Sequence, residues 1–404
     1  MPNGGPLTGV RVIDTSSSYA APTATMYLAD MGADVIKVEP PRGDDSRTWG
    51  PPFLGDEAAW FLAANRNKRS VCLDFTHDAG YAALMRLLDG ADVFVENLNP
   101  SKLARLGLAP EQLCPRFPRL VYCAVSGFGL TGPDRGRPGY DLIAQARSGL
   151  MSVTGEAGRV PQRVSTALSD VAAGTVAAFA VAAALYRQQR TGQGELVDVS
   201  LLEADLGFMA PRIASFLAGD PEPQPSGGSD SVLAIYQPFE TADAPIVVAV
   251  GNDRMWQRFC DALELPQLAA DPDLVTNAGR RERRADVVEV ITGRMIERPC
   301  AEWLRRLGNA GVPCAPIALL SDVVADPQVL ARDAIASWTH PSAGEVSTVM
   351  SPWLLGSQPN GRTTAQPAPL LGVDGFDVLL EAGFDDDDIG KLEQDGAVWL
   401  PPNP

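Results

Sequence analysis

Histidine is scarce: a chain of 404 residues carries only His77 and His340. A His-ligated metal site and a Ser-His-Asp nucleophile each need histidine at a defined place, so two such residues far apart argue against both, and no metal is expected. Cysteine is thin as well. The six cysteines, at 72, 114, 123, 260, 300 and 314, form no CxxC pair and no close Cys/His cluster. Free thiols in a reducing compartment fit this pattern better than disulfides or zinc, so the default expectation is a cytoplasmic protein. No basic segment followed by an apolar core opens the chain, so no signal peptide is expected. The most apolar run, 171–185, is Ala-rich and includes Gly174 and Thr175. It falls short of the about 20 residues that cross a bilayer, so it reads as a buried core helix and no membrane partner is expected. Positive charge is also in deficit. The formal net charge of −17 makes nucleic acid a poor partner, although a local basic patch can still bind an anionic ligand.

What is present is ordinary globular material: 45% hydrophobic and 21% charged residues, enough for a large core divided into two or more lobes. Short β-branched runs alternate with helical spacing. Residues 10–14 read as a strand, 20–30 as a helix and 33–39 as a strand. The pattern continues with strands at 70–75, 92–96, 120–125 and 195–200, and with helices at 78–88, 102–106, 171–190 and 201–217. This βαβ alternation predicts an α/β fold with a parallel, doubly wound sheet. The glycine fingerprint of a dinucleotide site is missing, because the first turn reads TSSSYAAPTAT. Glu39 at the end of the second strand therefore does not make the chain a nicotinamide dehydrogenase. Residues 126–139 hold five glycines and two prolines and must be a loop, of a length that is often functional. The Pro/Gly-rich stretch around 219–228 reads as a linker to a second lobe, which carries amphipathic helices at 254–263, 281–296 and 301–310. Residues 339–370 show no strong periodicity. The acidic run 385–388 lacks EF-hand spacing and suits a helix N-terminus.

Three constellations could carry chemistry. Ser169 is a good N-cap that would place Asp170 in the first turn of the long helix. Asp170 is then either an ordinary dipole-stabilised carboxylate or a loop-framed nucleophile able to attack a carbonyl. Basic residues (Lys37, Arg42, Arg47, Arg66, Lys68, Arg69, Lys102 and Arg105) lie mostly beyond predicted strand ends, where open α/β sheets bind ligands. They read either as solvated surface or as a phosphate-binding patch. Gly227 and Gly228 could offer backbone N–H groups to an oxyanion or serve as plain linker.

The strings ADMGADVIKVEPPRGDDSR, NRNKRSVCLDF, ENLNPSKLARLGL, SGFGLTGPDRGRPGYDLIAQARSGLMSVTGE, ALSDVAAG, GELVDVSLLEA, VAVGNDRMWQRFC and GVPCAPI stand in the order found in the class III coenzyme A transferases. The chain resembles this CaiB/BaiF, or formyl-CoA transferase-like, family from about residue 7 to about 398. The resemblance implies a Rossmann-like large domain built from both ends of the chain, a smaller α+β domain from its middle, and an interlocked, ring-shaped homodimer. Residues 1–218 and 326–404 would form the large domain, 219–232 a linker and 233–325 the small domain. The partners implied are acyl-CoA and carboxylic acid substrates, with no tightly bound cofactor. Asp170 would be the nucleophile, passing through aspartyl anhydride and aspartyl-CoA thioester states. Coenzyme A contacts would fall on Tyr19, Ala20, Pro40, Asn65, Lys68, Asn97, Leu98, Asn99, Arg105, Tyr140 and Asp141, with Gly227 and Gly228 as a glycine loop. The chain departs from the family pattern at Ala21, where a glycine is usual, at Tyr19 and Pro40, and at Asp374, which replaces a histidine.

Two other functions share the frame. An α-methylacyl-CoA racemase would use histidine in a G-H-D motif, but here the motif is Gly139-Tyr140-Asp141, and tyrosine is too weak a base near neutral pH. A non-catalytic acyl-CoA-binding homologue would have no use for Asp170 among its glycines.

Overall fold

Strand formation begins where β-branched residues alternate between two buried faces. The computed structural model describes residues 4–356 and 365–401. The chain divides into two compact units. One comprises Met1–Leu150, Val164–Gly219 and Leu330–Pro404, the other Met151–Arg163 and Asp220–Val329.

The first unit is organised by seven strands: β1 (Arg11–Asp14), β2 (Asp34–Glu39), β3 (Lys68–Leu73), β4 (Val93–Glu96), β5 (Val121–Ser126), β6 (Leu196–Ser200) and β7 (Val398–Trp399). Their order across the sheet is β7-β3-β2-β1-β4-β5-β6. Every pairing is parallel except that of β7, which runs antiparallel to β3. The six parallel strands follow the doubly wound order 3-2-1-4-5-6, which reverses direction between β1 and β4. The unit is thus mixed α/β around a mostly parallel sheet, as the alternation predicts.

Period two decides which face each residue serves. On β1, Val12 packs under α1 (Ala20–Asp30) and α5 (Leu168–Thr191), whereas Ile13 packs on the opposite face with α2 (Asp78–Asp89). That opposite core also takes Leu103 of α3 (Pro100–Leu106), and Leu379 and Ile389 from the C-terminal helices. Two further helices, α4 (Asp141–Arg147) and α6 (Leu201–Leu217), flank the start of α5. Covered on both faces, the strands need no polar alternation, and for that reason they read as continuous apolar runs.

At 24 residues, α5 is longer than the apolar run predicted, and by length and composition it could cross a membrane. Its inner stripe of Ala173, Ala177, Val181 and Leu185 is instead buried in the core against the sheet. It begins at Leu168 with Ala167 as the N-cap residue, so Ser169 lies inside the first turn and not at the cap. The hairpin Ile335–His340/Gly344–Val349 lies mostly within the region without visible periodicity; it buries Val346, against Phe61 and Leu62, and His340. The helices Ala59–Ala64 and Pro110–Arg116 also escape the pattern, because each is shorter than two turns.

The second unit carries a three-stranded antiparallel sheet in which Ile246–Ala249 lies between Tyr236–Phe239 and Cys314–Pro316. The helices Asp253–Leu263, Arg284–Met295 and Cys300–Asn309 close its core around Trp256, Phe259, Ile291 and Trp303. Trp303 donates its indole N–H to Met295 O at 2.7 Å, satisfying a fully buried donor. All six cysteines are free thiols.

The tightest crossing is between α1 and α5. A Cβ on Gly174 would lie 2.6 Å from Ala20 O and 2.9 Å from Thr23 Cβ, so glycine is what allows the start of α5 to approach the start of α1. Gly174→Val is expected to lower stability by about 1–3 kcal/mol, the usual range for overpacking, as read from urea denaturation.

Candidate active site

In an open parallel sheet, ligands bind outside the carboxyl ends of the strands where the order reverses. Here that point lies between β1 and β4, and the turn after β1 is built in an unusual way. Asp14 ends the strand fully buried. It accepts from Ser16 N at 2.9 Å, from Thr25 Oγ1 at 2.6 Å and from Lys68 Nζ at 3.1 Å. Ser17 N donates to Asn97 Oδ1 at 3.0 Å, and Ser18 N to Asp44 Oδ1 at 3.0 Å. The N–H groups of Ser16, Ser17 and Ser18 are therefore occupied by the protein's own side chains.

The charges beneath this turn are coupled. Lys37 Nζ lies 2.7 Å from Asp44 Oδ2 and donates to Ser16 O at 2.9 Å. Burial would raise the Asp14 carboxyl, but Lys68 and Lys37 outweigh it and hold the group below the ordinary carboxylate range. Burial, together with the neighbouring Lys37 ammonium, pulls Lys68 down to about 8 despite its Asp14 partner.

Above the turn is a cavity of about 340 Å³. Ser17, Ser18 and Ala20 wall it on the β1 side, Asn97–Pro100 on the β4 side, and Gly127–Gly129 with Gly136–Tyr140 from the glycine-rich loop. Gly127 and Gly139 pass so closely that a Cβ on Gly127 would stand 2.6 Å from Gly139 Cα. The two arms of the loop can therefore meet only as glycine. A second cavity of about 340 Å³ adjoins the first along Ser17, Asp45 and Leu98, and is lined further by Pro40, Arg42, Thr76 and Lys102.

Asp170 reaches the first cavity from the first turn of α5. Burial, with the carboxyls of Asp141 and Asp205 nearby, pushes it up to about 7. No cationic side chain pairs with it among the described residues. A helix N-terminus ordinarily favours a carboxylate, but here desolvation and like charge win. The arrangement offers an unpaired, basic carboxylate at the mouth of a glycine-framed cavity, a competent nucleophile toward an acyl carbon.

The residues singled out from the sequence separate into groups. Ala20, Asn97, Leu98, Asn99, Tyr140 and Asp170 share the first cavity, while Pro40 lies in the second. Asn97 also donates to Ser17 O at 2.7 Å, and Asn99 caps α3 by accepting from Ser101 N at 2.9 Å. Tyr140 stands 64% exposed at the cavity wall. Tyr19 precedes α1, with its ring edge-on to Trp60 at 5.2 Å. Arg105 is exposed on α3 outside both cavities. Asn65 and Lys68 are buried beneath the site, Lys68 Nζ donating to Asn65 Oδ1 at 2.7 Å. Asp141 is buried as well. It accepts from Ser169 N at 2.8 Å, acting as a remote cap for α5.

Much of the basic scatter is consumed by internal pairing. Arg47 grips Glu39, Arg66 binds Asp30, and Arg69 bridges Asp34 and Glu381. Gly227 and Gly228, with φ of 63° and 86°, lie in the second unit, where Gly227 N donates to Gly155 O at 2.9 Å.

Sequence reasoning missed Trp49 and Arg137 as cavity walls, because neither sits in a periodic segment. It also missed Asp205. The sign was available: Leu201, Asp205 and Met209 recur every four residues and are all buried, so one acid lies on the apolar stripe of α6.

Comparison with known proteins places this geometry in context. The sequence model described as CoA-transferase family III matches residues 7–375. The succinyl-CoA:glutarate CoA-transferase of Homo sapiens is 38% identical over 98% of this chain and 91% of its own length. The acetyl-CoA:oxalate CoA-transferase of Acetobacter aceti is 37% identical over 81% of this chain and 85% of its own. The crystal structure of a CAIB/BAIF family protein from Brucella suis superposes with a TM-score of 0.81 at 34% identity, covering 94% of this chain and all of that one.

Since Lys68 is sealed under the site, its loss should act first on stability. Lys68→Met leaves Asp14 buried without its nearest cation and is expected to cost about 3–5 kcal/mol. The check is the midpoint of chemical denaturation, measured before any binding constant.

Proposed function

Since the chain belongs to CoA-transferase family III, we propose that Asp170 is the nucleophile through which this enzyme moves coenzyme A between carboxylic acids. The observation that carries the reading is the unpaired Asp170 carboxylate at the wall of a glycine-framed cavity, at the reversal point of the sheet. A carboxylate Oδ attacks the thioester carbonyl of the donor. The C–S bond breaks, leaving an aspartyl anhydride and coenzyme A thiolate. The thiolate attacks the aspartyl carbonyl, releasing the donor acid and forming an aspartyl-CoA thioester. The acceptor carboxylate opens that thioester to a second anhydride and frees the thiolate again. Attack of the thiolate on the new acyl carbon then forms the product thioester and regenerates Asp170. No net proton is taken up or released in the cycle, which suits a site without histidine. Neither His77, which caps α2, nor His340, bonded to Ala368 O, lines the cavity.

The two adjoining cavities together suit an elongated ligand whose reactive end meets Asp170 while its nucleotide end passes Pro40 and Lys102. The relatives named above act on succinyl, glutarate and oxalate groups, which supports a short dicarboxylic acid as the acceptor here. A homodimer is part of the same reading. Phe179 (76% exposed) and Tyr186 on α5, with Phe208 and Leu217 (78%) on α6, leave an apolar surface that a second copy would cover.

Asp170→Asn is expected to abolish CoA transfer and to leave no hydroxamate on the protein after incubation with acyl-CoA and hydroxylamine, as read by peptide mass spectrometry. Full activity in that variant, or solvent deuterium uptake at the α-carbon without an acceptor acid, rejects the reading, the latter in favour of a racemase.

The pH dependence has a definite sign. Attack requires the ionised form, so the acylation rate should rise through pH about 7, with about a tenth of the sites ionised one pH unit below and about nine tenths one unit above. A carboxyl raised in the folded state contributes stability that is complete below its unfolded value and lost as pH rises through about 7. Asp170→Asn should therefore melt higher than the parent at pH 8, with little difference at pH 4.

A further inference from the structure

A buried polar cluster that the mechanism above does not use lies where α4, α5 and α6 meet. Gln145 and Asp141 come from α4, Ser169 from α5 and Asp205 from α6; Ser148 follows α4 directly. All five are buried. The two carboxylates are treated differently. Both Asp141 oxygens are satisfied, one by Ser169 N at 2.8 Å and the other by Gln145 Nε2 at 2.7 Å. Asp205 has donors on one oxygen only. Its Oδ2 accepts from Ser169 Oγ at 2.8 Å and from Ser148 Oγ at 3.4 Å, while Oδ1 is buried without a hydrogen-bond partner. Neither Asp141 nor Asp205 pairs with a cation among the described residues.

A buried, half-satisfied carboxylate without a countercharge is costly and calls for an explanation. Ser169 supplies one, since it directly precedes Asp170 and spends its backbone N–H on Asp141 and its hydroxyl on Asp205. We propose that Asp205 is a positioning residue for Asp170: it holds the first turn of α5 against α6 through Ser169, and in its own ionised form it penalises ionised Asp170 relative to the acylated form. This rests on the reading of Asp170 as the nucleophile.

The physical logic is a difference between states. Among the described residues, the carboxyls that act on Asp170 are Asp141 on α4 and Asp205 on α6; Tyr19 at the start of α1 lies within its influence, and Asp45, Arg137 and Tyr140 line the same cavity. As a free carboxylate, Asp170 is repelled by the two aspartates. As an anhydride or thioester it is neutral, and the repulsion disappears. Above pH about 7, where Asp170 is ionised, the cluster thus pushes it toward the neutral covalent intermediates, an electrostatic effect that needs a preorganised, water-poor site. The Ser169 bonds keep the attacking oxygen in place while this happens, and small displacements of a nucleophile are costly in rate.

The test uses the full-length enzyme with succinyl-CoA as donor and hydroxylamine as trap, and compares Asp205→Asn, Ser169→Ala and Asp170→Asn. Asp205→Asn keeps an acceptor for Ser169 but removes the charge. Its acylation pH profile is expected to move to lower pH by about half a unit or more. The steady-state fraction of enzyme carrying aspartyl-CoA should fall with it. Ser169→Ala removes the clamp and keeps the charge, so it should lower acylation about tenfold or more with KM for the donor unchanged. An unmoved pH profile in a folded Asp205→Asn overturns the proposal. If that variant does not fold, parental acylation by Ser169→Ala overturns it. Activity in Asp170→Asn would instead overturn the nucleophile reading, so the two failures are distinct.

Discussion

Everything at the ligand-binding edge depends on one buried carboxylate. Asp14 ends the first strand, and its two oxygens take a backbone N–H, two hydroxyls and an ammonium. A charge in that position survives burial only because these donors and Lys68 replace water, and because Lys37 stands close by. In return it shapes the turn that follows. With that turn held by Asp14, Asn97 and Asp44, the loops after β1 and β4 are clamped together at the point where the sheet order reverses. Ser18 sits at φ 73°, in the left-handed region that non-glycine residues rarely adopt, and its N–H is held by Asp44. The doubly wound sheet is common, but here the N–H groups of the first turn are taken by internal side chains, and the glycine-rich loop supplies part of the cavity wall.

The opposite electrostatic arrangement holds around Asp170. Around Asp14 the protein supplies cations, whereas around Asp170 it withholds them and adds two further aspartates. One carboxyl is therefore held below the usual range and the other pushed up to about 7, within one fold. Separation of this kind between neighbouring acids marks a division of roles. Asp14 is structural, and its lysine neighbours favour the ionised form. Asp170 is uncomfortable as an anion, which is the condition under which a carboxylate becomes a useful nucleophile.

Some of this was legible from the residues alone. The βαβ alternation reads correctly because strands covered on both faces are short apolar runs, and α6 reads as 201–217 from its helical spacing. The C-terminal strand, Val398–Trp399, is only two residues long, and it exists because β3 offers an edge to pair with. The hairpin 335–349 shows little alternation because its residues are mostly exposed or half-exposed, so no periodic signal is written there. Ser169 looks like a cap by composition, but the helix starts one residue earlier and the capping group comes from Asp141, twenty-eight positions away in sequence.

The sequence by itself determined the class of fold, the family and the position of the one acid at the start of the long helix, because those are carried by local spacing and by strings of residues in order. Only the tertiary structure decided what each charge does. Lys68 and Arg66 read by sequence either as solvated surface or as part of a phosphate-binding patch, yet both are sealed inside ion pairs, because a residue's partner is set by which strands lie side by side and not by its neighbours in the chain. Asp170 began as either a helix cap or a nucleophile. What shifts it toward the second is desolvation and the company of Asp141 and Asp205, brought together by the crossing of three helices. Spacing along a chain can locate a carboxylate, but its basicity is a property of the surroundings that folding assembles.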